Sequence, residues 1–406
     1  MPSRRACLAV LLTVLALVAT ACGGSPTEDG GAQEPAAGDG AGGGEGATGE
    51  AGSPTDGEEA AGTAAAPASD CENGGVEAVL AEVDGLEGED RSARLAELAE
   101  EAGGTVSLYT ALTNELVEAV TPAFSEAYGL DLEVYRASGE SISQRLLQEV
   151  TAGRPGADMV ETGGGEMVAY TNEGILVAYE SPEREALIED AVVDAHWTGS
   201  RVQLFTPAWN TDLVDDPPAT WEDLADPRWD GRIAMEAGNA DWYMALTEYW
   251  LEEGRSEEEV QQLWTDIAEG TFMVSGHSTM RELMIGGEFG ASATLYSYMT
   301  QESMDGGAPL AWEPHVSPLI IRTQGAGIVQ CSPNPAGAVL LMDWWLSSDG
   351  AQQVFIDANI DSVREDLWQL GDADVYAIDV AKFVAEQERW EDEFERLTAL
   401  GQPAGA

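Results

Sequence analysis

Lysine is all but absent from this 406-residue sequence. Lys382 is the only one, and 18 Lys+Arg stand against 74 Asp+Glu, for a formal net charge of −56. Phosphate backbones are held by Lys and Arg that release counterions, so this balance excludes a nucleic-acid partner. It equally excludes docking by charge onto an anionic bilayer. No stretch reaches the length of a spanning apolar helix. Cysteine is scarce, four in all, with no CxxC and no Cys/His cluster, which rules out a structural zinc site. Enzyme signatures are missing as well. There is no HExxH, no SxxK and no Walker loop, and Gly139-Glu140-Ser141-Ile142-Ser143 lacks the second glycine of GxSxG. Acid pairs abound, but in a chain with 74 acids a chance pair carries little information. What is present is core material: 44% apolar residues, with 12 Trp, 10 Tyr and 7 Phe. The length allows two domains plus tails.

The first residues read as an export signal. Arg4 and Arg5 form a basic start and Ala6 to Ala21 is apolar and uncharged, too short to cross a bilayer. The run ends Val18-Ala19-Thr20-Ala21-Cys22-Gly23-Gly24, which resembles the lipobox of bacterial lipoproteins, with Ala19 where leucine is commonest. The resemblance implies a signal over 1–21 and lipid on Cys22. Plain secretion after an Ala-x-Ala-like site is the alternative. Residues 22–70 form an expected acidic tether. Gly23 to Ser69 has no aromatic, Leu, Ile or Val and cannot offset its ordering entropy by burial. The acidic excess runs along the whole chain, so it speaks of solubility in salt or alkaline surroundings rather than of one cation site. In an oxidising compartment Cys71 and Cys331 are an even pair open to bridging, the alternative being two buried thiols.

Residues 71–103 read as an N-terminal helical segment, broken near Gly85 to Gly88. Strands and helices then alternate: Thr105–Tyr109, a helix over Asn114–Tyr128 stopped by Gly129, Leu130–Tyr135, a helix over Ser141–Ala152, and a strand over Ala157–Glu161. This spacing predicts an α/β fold with a parallel sheet and crossover helices. Ligands of such sheets sit at the carboxyl ends of the strands. Those ends carry Tyr109-Thr110-Ala111, Arg136-Ala137-Ser138-Gly139-Glu140 and Glu161-Thr162-Gly163-Gly164-Gly165, rich in hydroxyls, carboxylates and glycine.

Several ordered stretches resemble the extracellular solute-binding proteins of ABC importers, and more narrowly their ferric-iron-binding branch. They are Gly104–Ala111, Tyr128–Glu140, Glu149–Asp158, Asn172–Tyr179, Trp209–Val214 with Pro218–Ala234, and Asn334–Asp343 with Leu346–Gln352. The branch also holds binders of thiamine, polyamines, phosphonates and sugar phosphates. The resemblance implies a bilobed type II periplasmic-binding-protein fold, two doubly wound α/β lobes joined by a two-strand hinge. Lobe 1 would span 104–205 plus 313–350, lobe 2 would span 206–312, and C-terminal helices would fill 351–406. The crossovers would fall at Leu204–Trp209 and Trp312–Ile321.

In iron-binding relatives a tyrosine pair comes from the second lobe. Tyr296 matches one position, and Tyr298 stands two residues on, expected to share its face on a strand. Glu161 is the first-lobe carboxylate, with Glu166 nearby, and together these imply ferric iron as transported ligand on Tyr296, Tyr298 and Glu161, with no resident cofactor. The wider ligand-binding set is Thr110, Ser138, Gly139, Glu140, Glu161, Thr162, Asn210, Asn239, Trp242, Ser275, His277, Tyr296 and Tyr298. A phosphonate or phosphate ester would use Thr110, Ser138 and Gly139. An organic cation such as a polyamine or thiamine would want an aromatic box from Trp209, Trp242, Tyr243 and Tyr296. The expected protein is no enzyme. It is a monomeric, lipid-anchored receptor outside the cytoplasmic membrane, partnered by an importer permease, with a non-transport sensory lipoprotein as the rival.

Overall fold

The computed structural model describes residues 75–371 and 373–403. The expected signal, the lipidation site Cys22, the tether and Cys71 lie outside the described residues. Cys331 is disulfide-bonded.

Two helices open the described chain, α1 (Gly75–Glu82) and α2 (Gly88–Glu101). Between them Gly85 and Gly88 take positive φ, which breaks the helix where the glycines stand. Then come β1 (Thr105–Thr110), α3 (Asn114–Tyr128), β2 (Asp131–Arg136), α4 (Gly139–Thr151), β3 (Met159–Gly163) and α5 (Gly164–Asn172). The start of α3 is fixed by Thr113, whose side chain accepts from the Leu116 N–H, and its end by Gly129 in the left-handed region. Its buried face is Leu116, Val120 and Phe124.

A 13-residue strand, β4 (Thr198–Asn210), leads to β5 (Ile233–Glu236), α6 (Ala240–Glu252), α7 (Glu257–Glu269), β6 (Thr271–Val274), α8 (His277–Ile285), β7 (Ala291–Tyr296) and α9 (Ser297–Asp305). After the short β8 (Leu310–Ala311), β9 (Leu319–Ile328) returns, followed by α10 (Pro335–Leu346) and α11 (Ala351–Asp357). The chain closes with β10 (Val375–Ala377), α12 (Val380–Ala385), α13 (Gln387–Thr398) and β11 (Gln402–Pro403).

The main sheet runs β11-β6-β5-β7-β4-β9-β3-β1-β2. It contains two parallel triplets, β2-β1-β3 and β6-β5-β7, each with its first strand in the middle. The long strands β4 and β9 pair antiparallel between them. Successive side chains of these two strands serve different cores, as strand alternation requires. Phe205 and Ile320 join the apolar cluster around Trp242 and Trp264, whereas Leu204, Leu319 and Ile321 join the cluster around Phe124 and Trp345. The tail then crosses back. β10 pairs with the start of β9, Lys382 on α12 is ion-paired with Glu248 on α6, and β11 extends the sheet beside β6.

Candidate functional site

Thr110 and Glu161 face each other across β1 and β3. The Thr110 hydroxyl donates to Glu161 Oε2 at 2.7 Å. Glu161 Oε1 accepts from Arg201 Nε at 3.1 Å and from the Ser200 hydroxyl at 3.3 Å. Glu161 and Thr110 are fully buried. Both carboxylate oxygens are engaged, and a charge shut away from water needs its counter-charge. This closed group leaves Glu161 serving Arg201 and leaves Thr110 serving Glu161. Ser138 caps α4, accepting from the Ser141 N–H at 3.3 Å. Glu140 is exposed and accepts from Gln144 one turn on. Thr162 is buried beside Gly139. A Cβ on Gly139 or Gly163 would run into the Glu166 carboxylate, so those two glycines make room for it. Burial pushes the Glu166 carboxyl up, while Arg322 pulls it down.

The second triplet arranges its strand ends differently. Tyr296 ends β7 and His277 opens α8, and their rings stack with centroids 4.1 Å apart. His277 Nε2 lies 3.1 Å from the Asn239 amide nitrogen. An amide N–H can only donate, so Nε2 accepts and the ring is neutral. Burial, then the charge of Arg322, push the His277 imidazole down to about 4. The Tyr296 hydroxyl accepts from Arg322 Nη1 at 2.8 Å. Arg322 Nε and Nη2 donate to the two Asp241 oxygens at 2.6 and 2.5 Å, a fork-to-fork pair. The guanidinium lies over the Phe205 ring, 4.6 Å from its centroid.

Tyr298 departs from expectation. β7 stops at Tyr296 and α9 begins at Ser297, so Tyr298 sits in the first turn of a helix and shares no strand face with Tyr296. The helical turn still brings the rings together, stacked at 5.8 Å with planes 12° apart. Trp242 is a core residue, edge-to-face with Trp221 and Trp264 and fully buried. Tyr243 and Trp209 belong to the same core. Asn210 spends its side chain on the backbone, donating to the Met284 carbonyl and accepting from the Asp212 N–H. Ser275 is exposed at the turn before α8.

The polar centre is therefore Tyr296, Tyr298, His277, Asn239, Asp241 and Arg322. Three helices that open there or beside it, α6, α8 and α9, carry no side-chain cap, whereas Thr113 and Ser138 cap α3 and α4. At α6 the Asp241 side chain takes the Trp242 N–H, whereas among the described residues no side chain caps the first N–H groups of α8 and α9. Asp241 and Arg322 escaped the sequence reading: they lie 81 residues apart, and only the fold joins them. The one available signal was an arginine inside the apolar run Leu319-Ile320-Ile321-Arg322. Among the described residues no group of three or more His, Cys, Asp or Glu is placed to hold a metal ion, so a hard cation would depend on the phenols.

Residues 165–314 match the family model described as bacterial extracellular solute-binding protein. Iron uptake protein A2 of Synechocystis sp. is 24% identical over 273 residues, covering 63% of this chain and 76% of that protein. The Trichodesmium protein IdiA (FutA), solved in complex with iron and citrate, superposes with a TM-score of 0.58 at 17% identity, over 72% of this chain and 99% of that one. AfuA of Actinobacillus pleuropneumoniae, solved with fructose-6-phosphate, gives 0.59 at 18% identity, over 74% of this chain and 100% of that one. The fold is that of the bilobed type II periplasmic binding proteins.

Proposed function

We propose that this solute-binding protein is the extracellular receptor of an ABC importer, lipid-anchored through Cys22, and that it captures ferric ion together with an oxygen-rich chelator. It is a binding protein and not an enzyme, in keeping with its family match. In this reading it acts as a monomer, takes its cargo between two lobes that close on the β4–β9 hinge, and hands it to a permease.

The stacked phenols of Tyr296 and Tyr298 beside Arg322 carry the reading. Ferric ion is a hard cation that prefers anionic oxygen. Burial raises the pKa of both phenols, but Arg322 draws Tyr296 down, and Arg201 and Arg281 draw Tyr298 down. A bound trivalent ion displaces the phenolic protons by its own charge. With Glu161 committed to Arg201, the cargo itself must supply oxygens. A chelated ion does so, and the Arg322 N–H groups left over from Asp241 and Tyr296 suit the chelator's carboxylates. The names of the Synechocystis and Trichodesmium relatives agree with iron and with citrate. On loading with ferric citrate, the purified protein should show a visible phenolate-to-iron charge-transfer band that Tyr296→Phe abolishes. A colourless protein with no iron by elemental analysis refutes the reading.

One observation favours a phosphate ester instead. Arg322 and the uncapped starts of α8 and α9 are anion-binding groups, and AfuA was solved with a sugar phosphate. A thermal-shift panel separates the two, since a specific ligand raises the midpoint by mass action. A rise with sugar phosphates or phosphonates and none with ferric citrate selects the ester.

A further inference from the structure

A cavity of about 430 Å³ lies between α4, α5 and α12, and neither Tyr296 nor Tyr298 lines it. Leu147, Tyr170, Phe383 and Val384 give it apolar and aromatic walls, and Glu166 and Glu173 are its charged lining. No lysine or arginine lines it. The size suits a small organic ligand.

Glu166 reaches the cavity from the first turn of α5. Gly139 and Gly163 both leave room for its carboxylate, and Thr162 stands beside Gly139. The basic groups of the elements around it are committed elsewhere: Arg145 of α4 to Glu149, Lys382 of α12 to Glu248, Arg389 of α13 to Glu386 and Glu393, and Arg322 of β9 to Asp241. Arg322 reaches Glu166 only through its field. The Glu166 carboxylate takes a backbone N–H in the first turn of α5 but has no ion-pair partner among the described residues, and such a half-buried charge carries a desolvation cost that an entering cation offsets. The Tyr170 hydroxyl is already bonded to Ser143 at 2.7 Å, so that side chain offers a ring face more than a donor.

We propose that this cavity binds a protonated alkylamine, with the ammonium against Glu166 and the hydrocarbon against Leu147, Tyr170 and Phe383. The proposal uses none of the groups assigned to ferric citrate and stands or falls apart from that assignment.

The test is calorimetric titration of the folded protein with butylammonium, with butyrate and 1-butanol as controls. Saturable binding of the amine alone is expected. Glu166→Gln should weaken it at least ~10-fold while leaving ferric citrate loading as in the parent. Leu147→Lys, on an exposed side chain at the cavity, should weaken it too, and keeps the test decisive should Glu166→Gln unfold the protein. No amine binding at millimolar concentration overturns the proposal. So does equal binding of butanol or butyrate, or amine binding that neither substitution changes.

Discussion

At the carboxyl ends of β1 and β3, Thr110, Glu161, Ser200 and Arg201 close on one another and are buried. At the carboxyl end of β7, Tyr296 and Tyr298 meet Arg322, Asp241 and His277 in a group that keeps some exposure: the Arg322 side chain is 21% exposed against 7% for Arg201. The two triplets share a strand order, so topology does not explain the contrast. What differs is where the counter-charge comes from. Arg201 on β4 commits its Nε to Glu161 and reaches Tyr298 only through its field. Arg322 on β9 is braced by Asp241 from the start of α6 and reaches a phenol. A buried carboxylate with both oxygens engaged has little left to offer a ligand. A braced guanidinium beside two phenols has geometry already fixed and N–H groups to spare. On the proposed reading the first triplet is frame and the second is the recognition surface.

The harshest way to break this contrast is Glu161→Ala. It strands Arg201 in the interior, and removing one partner of a buried pair costs about 3–5 kcal/mol. Denaturant unfolding should show that loss, with ferric citrate loading retained under conditions where the protein stays folded. Normal stability with loading abolished would make Glu161 a ligand and the first triplet more than frame.

A smaller effect sharpens the second half. The His277 imidazole sits near 4 when folded, against about 6.5 when free. Between those values the unfolded chain takes up a proton that the folded chain refuses. The contribution of His277 is therefore whole above about pH 6.5 and is lost as the pH falls towards 4, to the extent of roughly 3 kcal/mol. Carboxylates titrate at the lower end of that range, so the useful quantity is the difference between parent and His277→Gln. The parent should lose stability faster across the window. Parallel curves would mean that the ring is not held neutral against Tyr296.

Much of the frame could be read from residues in order. Thr113 and Gly129 bound α3 at the residues where it runs, because a cap and a left-handed glycine act locally. The break between α1 and α2 was legible for the same reason. Tyr296 was singled out through resemblance, and the structure places its ring beside that of Tyr298. The error at Tyr298 was local too: α9 starts with no capping residue to announce it, so alternation was carried one turn too far. Glu161 misled because its partner Arg201 is 40 residues away and is brought opposite only by the β3–β9–β4 pairing. Asp241 and Arg322 were invisible on the same account. Trp242 resembled an aromatic box only because a sequence does not show which face of α6 turns inward.

The mildest test falls on Ser138, which the sequence marks as a ligand group and the structure uses as a cap. Its hydroxyl accepts from the Ser141 N–H and sits 3.0 Å from the Ser141 hydroxyl, so its bonding is local to the first turn of α4. Ser138→Ala should cost about 1 kcal/mol, the ordinary price of a lost N-cap. Loading with ferric citrate, and the intensity of its absorption band, should not change, because nothing in the Tyr296–Arg322 group leans on that hydroxyl. The opposite result is equally readable. A tenfold loss of affinity with an unchanged unfolding midpoint would mean that the start of α4 reaches the cargo on closure. Recognition would then be shared between the triplets, and the uncapped starts of α8 and α9 would be only half of an anion-binding ring completed by the first lobe.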